Sequence, residues 1–182
     1  MPKFIAFLRA INVGGHNVKM EDLRKLFEEL GFSNVETFIA SGNVIFDTPD
    51  GDANELERRI ERHLRTALGY EVATFLRSTS ELADIAKYEP FPAAELAAVG
   101  TSLYIAFLQD APGDKAQEGL MAFRTDQDDF HVHAREIYWL RHGNMSDSKF
   151  SGALLEKTIK LPATLRNSTT VRKLVAKYPA SE

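Results

Sequence analysis

The chain has 182 residues, 44% of them hydrophobic, with no cysteine and a formal net charge of −4. That content supports a folded core in one domain or two small halves and excludes wholesale disorder, while the missing cysteines exclude disulfides, thiolate metal centres and cysteine nucleophiles. No apolar run approaches the roughly 20 residues of a membrane helix, and Met1–Phe4 enter a strand-like run with no signal-peptide pattern, so a soluble cytoplasmic protein with no membrane partner is expected.

In chain order, residues 3–11 are β-branched and aromatic and predict a strand. Residues 12–17, with Asn12, Gly14, Gly15 and Asn17, predict a loop. Met20, Leu23, Leu26, Phe27 and Leu30 recur at helical spacing, predicting a helix over 20–30 that Gly31 stops. Strands over 34–40 and 44–47 flank Ser41-Gly42-Asn43, a hairpin signal. A second amphipathic helix covers 54–68 and a strand 71–77. The order is β-α-β-β-α-β.

Residues 79–100 read as a helical bridge, with helices over 80–87 and 93–99 separated by Pro90 and Pro92. The pattern then restarts: strand 102–109, helix 115–123, strands 129–133 and 136–140, helix 149–159, strand 163–166 and an appended helix 169–177. The opening strands share letters, Phe4-Ile5-Ala6-Phe7-Leu8 against Tyr104-Ile105-Ala106-Phe107-Leu108. The expected fold is therefore α+β, two tandem ferredoxin-like halves (1–78 and 101–182) plus a C-terminal helix, each sheet in the order 4-1-3-2.

That topology brings the loop after strand one and the hairpin between strands two and three to the same end. In the first half it gathers Arg9, Asn12, Gly14, Gly15, His16, Lys19, Ser41, Gly42 and Asn43. Glycines let backbone N–H groups approach a ligand, and a helix start near Lys19 suits an anion. Neither the dinucleotide fingerprint nor a P-loop is present. In the second half Ser146, Ser148, Lys149, Arg166, Asn167, Thr169 and Thr170 form a polar set, with Ser148 the expected cap of a helix that places Lys149 in its first turn. Ser146 to Lys149 also spells S-x-x-K, without that motif's companions. Residues 141–182 carry eight Lys/Arg and three acids against a net charge of −9 for the remainder, which suits an anionic partner at that end. His131 and His133 share a strand face, but no third ligand stands at a recognisable spacing, so no metal and no cofactor are expected. Phe130, Tyr138 and Trp139 read as core; Phe4, Phe7, Tyr104 and Phe107 lack the companion strand that an RNA-stacking sheet needs.

Phe7-Leu8-Arg9-Ala10-Ile11-Asn12-Val13-Gly14-Gly15, Phe38-Ile39-Ala40-Ser41-Gly42-Asn43-Val44, Ser148-Lys149-Phe150 and Ala163-Thr164-Leu165-Arg166-Asn167, in that order, resemble the bacterial family of domain of unknown function 1697. The resemblance spans nearly the whole chain. It implies two ferredoxin-like halves, no defined activity, and Arg9, Asn12, Gly14, Gly15, Ser41, Gly42, Asn43, Lys149, Arg166 and Asn167 as signature positions. The chain departs from it at Ala10, where glycine is frequent, at Phe38, where tyrosine is, and at Ser168, where tryptophan is. Those ten residues are the expected ligand-binding set. Arg9, Lys149 and Arg166 would contact an anionic small molecule, phosphorylated or a nucleotide, in a polar cleft between the halves. The alternatives are an enzyme on a phosphate ester or acyl substrate, for which His16 is the one histidine in a signature segment, and nucleic-acid binding through the basic C-terminal block.

Overall fold

In the computed structural model, residues 1–12, 15–39, 42–49, 51–143 and 149–180 are described. The elements run β1 (Lys3–Leu8), α1 (Met20–Glu28), β2 (Ser33–Thr37), β3 (Asn43–Asp47), α2 (Ala53–Leu68), β4 (Thr74–Ser78), α3 (Thr79–Lys87), α4 (Ala93–Leu96), β5 (Thr101–Phe107), α5 (Asp114–Met121), β6 (Asp128–His133), β7 (Glu136–His142), α6 (Gly152–Ile159), β8 (Thr164–Asn167) and α7 (Ser168–Lys177). They build two antiparallel four-stranded sheets, β2-β3-β1-β4 and β6-β7-β5-β8. Both have the expected 4-1-3-2 order, and each makes a ferredoxin-like half.

The chain divides into two compact units, one of Met1–Ile85 with Leu174–Glu182 and one of Ala86–Lys173. In the first, alternation along the strands puts Phe4, Ala6, Leu8, Val44, Phe46 and Leu76 against Leu23 and Phe27 of α1 and Leu56, Ile60 and Leu64 of α2. Asp52 opens α2 by accepting from the Glu55 amide, and Gly69, in the left-handed region at φ +84°, closes it. In the second, Ala106, Leu108, Phe130, Ile137 and Trp139 pack on Leu120, Leu155 and Ile159. One charged pair shares that apolar side. Arg141 Nη1 and Asp128 Oδ2 lie 3.0 Å apart, the Arg141 side chain is 1% exposed, and Trp139 Nε1 donates to Asp128 Oδ1 at 2.8 Å.

The helix predicted as an appendage proves to be part of the repeat. Each fourth strand runs directly into a trailing helix, α3 after β4 and α7 after β8. The two junctions are built alike. Arg77 Nη1 donates to the Leu76 carbonyl, and Arg166 Nη1 to the Leu165 carbonyl. Ser78 and Glu81 exchange backbone and side-chain bonds in a capping box, while Asn167 accepts from the Thr169 amide. On the sheet face turned away from α1 and α2, Glu36, Ile45, Ile5 and Arg77 stand in one row across the first sheet. His131, Tyr138, Ile105 and Arg166 make the matching row in the second.

Some predicted boundaries move. The first strand stops at Leu8 rather than residue 11, because Ala10 turns the chain at φ +53°. The second helix of the bridge ends at Leu96, leaving Val99 fully exposed. The predicted Ser148 cap is replaced by Ser151, whose Oγ accepts from the Leu154 amide at 3.2 Å; α6 starts at Gly152, so Lys149 lies outside its first turn. The reason is Phe150, which is 5% exposed and sinks against Phe130 and Trp139, so the chain turns into the helix only after it. Ser148 itself, like Ser146 of the S-x-x-K reading, lies outside the described residues.

Candidate functional site

The first unit carries extra chain at one end of its sheet. Eleven residues link β1 to α1, whereas six link β5 to α5. Five link β2 to β3, whereas two close the hairpin between β6 and β7. The first-half loops meet where the Leu8 amide donates to the Gly42 carbonyl at 2.8 Å.

The described residues between β1 and α1 are tied to one another and to residues 70 and 73. Asn12 Oδ1 accepts from the Val18 amide at 2.8 Å, and Tyr70 Oη donates to the Ile11 carbonyl at 2.8 Å. His16 stacks on the Tyr70 ring, centroids 3.7 Å apart. Burial raises the pKa of the Tyr70 hydroxyl, favouring the neutral donor form that this bond uses. The Arg9 side chain is exposed, and its backbone amide donates to the Ala73 carbonyl. Gly15 sits at φ +84°, a conformation that would strain any side chain placed there. Lys19 is the N-cap of α1 with no side-chain capping bond.

The hairpin segment is held by Asn43. This residue is 2% exposed and donates from Nδ2 to the carbonyls of Phe38 and Ile39, at 3.0 and 3.1 Å, while its own carbonyl accepts from the Phe38 amide. Ile39, β-branched and 44% exposed, is kept at φ +51°. Ala10 and Ile39 thus both hold a left-handed conformation that costs a non-glycine residue energy, on either side of the Leu8–Gly42 bond. Replacing Asn43 by Ala removes two hydrogen bonds and empties the buried site that its side chain fills. A stability loss of about 2 kcal/mol by urea unfolding is expected, with chemical-shift changes concentrated at residues 38–42.

Arg9, Asn12, Gly15, Gly42 and Asn43 therefore come to one end of the first unit; Gly14 and Ser41 lie outside the described residues. In the second unit Lys149 is exposed. Arg166 is half-buried, donates to Thr164 Oγ1 at 2.7 Å, and has its pKa lowered to about 10 by desolvation, so it keeps its charge at neutral pH. Asn167 starts α7. His131 and His133 gather around Tyr88: its hydroxyl lies 2.6 Å from His131 Nε2 and its ring stacks on His133 at 4.0 Å. Among the described residues no group of three or more His, Asp or Glu could hold a metal ion. Phe130, Tyr138 and Trp139 are buried, as read from the sequence.

A family model described as a protein of unknown function (DUF1697) matches residues 1–138. The chain belongs to that family. Its match covers every described loop residue of the first unit discussed above and ends before Lys149, Arg166 and Asn167. The fold is also that of a conserved bacterial protein from Streptococcus pneumoniae, with a TM-score of 0.78, 22% identity and 99% of each chain covered. At that identity the likeness speaks for the fold alone. No curated relative matches the chain. Among the described residues no helix of this DUF1697 protein is long and apolar enough to cross a membrane.

Two residues that sequence reading did not single out border the loops. Tyr70 pins residues 11 and 16, and Tyr178 reaches the start of the hairpin, donating to Glu36 Oε2 at 2.5 Å. A signal for the second was present: Ala-Lys-Tyr closes both trailing segments, at 86–88 and 176–178.

Proposed function

We propose that this DUF1697 protein binds a phosphorylated small molecule or nucleotide at the loop pair of its first half, through Arg9, Asn12, Gly14, Gly15, Ser41, Gly42 and Asn43. The observation that carries the reading is internal. The same fold occurs twice in one chain, and only the first copy spends added residues on both loops at this end. Loops that exceed what the connection needs are where binding residues concentrate. Lengthening alone does not choose a ligand. The chemistry that points to an anion is Arg9, an exposed arginine, Lys19 at the start of α1, and glycine backbone; Asn12 and Asn43 hold the two loops in shape, and the first turn of α1 carries Glu21 and Asp22, which a bound anion must clear.

The test is a thermal-shift and calorimetric screen of pyrophosphate, ATP and a sugar phosphate on wild type and Arg9→Ala. A true ligand at about 100 times its dissociation constant stabilises wild type by about 2.7 kcal/mol. Arg9→Ala is expected to weaken it about tenfold or more, the scale of a charge-assisted hydrogen bond. Absence of any shift in wild type, or equal shifts in both proteins, rejects the reading.

A further inference from the structure

The end of α7 belongs to the first unit, and Lys177 and Tyr178 meet residues 36 and 38 at the end of β2. Tyr178, 8% exposed, donates to Glu36, a residue 142 positions away and one before the end of β2. Its ring meets Phe38 edge-on, at 6.1 Å and 90°. Lys177 Nζ lies 4.7 Å from the centroid of the Phe38 ring and 5.4 Å from that of Tyr178. Phe38 is the residue whose amide and carbonyl Asn43 holds, and Ile39 follows it in the left-handed region. The contacts form a series: Tyr178 and Lys177 to Phe38, Phe38 to Asn43, and the neighbouring Gly42 carbonyl to the Leu8 amide beside Arg9.

We infer that the segment 174–178 is a strap that fixes the chain at Phe38 and Ile39, where β2 ends, with Tyr178 and Lys177 as positioning residues for the binding loops. The inference rests on the proposed site only for its purpose; the strap itself is a claim about hairpin order. A hydroxyl bonded to a carboxylate is a charge-assisted contact, and a lysine over an aromatic face adds a second, independent hold. Together they fix the strand end from which the strained turn departs.

The test is amide hydrogen exchange on the whole protein as wild type, Tyr178→Phe, Lys177→Ala and Glu36→Gln. The expected result is exchange about tenfold or more faster at the Phe38 amide in Tyr178→Phe. Smaller rises are expected in Lys177→Ala and in Glu36→Gln, which keeps an acceptor but loses its charge. Amides within α2 and β5 should hold their rates. Unchanged exchange at Phe38, or an equal rise throughout the first unit, overturns the strap, because the first shows no hold and the second only lost global stability. Pyrophosphate titration of the same variants separates the two claims. Tyr178→Phe binding pyrophosphate as tightly as wild type, with Phe38 loosened, overturns the positioning role. Failure of wild type to bind overturns the site, and the exchange data still decide the strap.

Discussion

Asp128→Ala is expected to destabilise the second unit by about 3–5 kcal/mol, measured as a drop in urea midpoint at constant slope. Asp128 serves two buried partners, the guanidinium of Arg141 at 3.0 Å and the indole N–H of Trp139 at 2.8 Å. Arg141 is 1% exposed, so water cannot replace the carboxylate without opening the sheet. Arg141 keeps its contact with Gln127 Oε1 at 3.4 Å, so the loss measures the cost of leaving its charge without a counter-charge rather than the worth of the pair. Replacing both members with apolar residues, Asp128→Leu with Arg141→Met, should therefore recover much of it. A double replacement as unstable as the single one would show that the pair itself holds β6 to β7.

Phe46→Ala is expected to cost the first unit about 3–5 kcal/mol, the scale of emptying an aromatic site in a close-packed interior. Phe46 has no exposure and packs against Phe32 at 4.2 Å, Phe27 at 5.7 Å and Phe4 at 6.0 Å between ring centroids. Its neighbours come from a helix, a strand and the segment between α1 and β2, so no single side chain can swing in to fill the space. Phe46→Leu, which keeps most of the volume, should cost less than half as much. A loss below about 1 kcal/mol for the alanine variant would mean that the core collapses around the gap.

Periodicity made the architecture legible. Leu56, Ile60 and Leu64 mark one helix face, and all three are buried on it; Ile-Ala-Phe-Leu marks the first strand of both halves at the same register. What the sequence concealed depended on register and on distant partners. Asp128 and Arg141 are directly opposed across β6 and β7, a pairing that no spacing rule supplies before the hairpin register is known. Ser148 and Ser151 have equal claims as caps until Phe150 is seen to occupy the core. The first loop cluster was visible because topology alone puts two connections at one end of a sheet. Tyr178 was not, because its partners lie 142 residues or nearly so from it.

The division of the chain also orders its synthesis. The second unit is one uninterrupted stretch, 86–173, while the first is interrupted by it and takes its final piece from 174 onward. On a ribosome adding about 5–20 residues each second, the stretch forming the second unit is complete before Tyr178 exists. Glu36 is made 142 positions before the side chain that meets it. The half that starts first is thus the half that finishes last, and during that interval the end of its edge strand β2 lacks the side chains that later hold it.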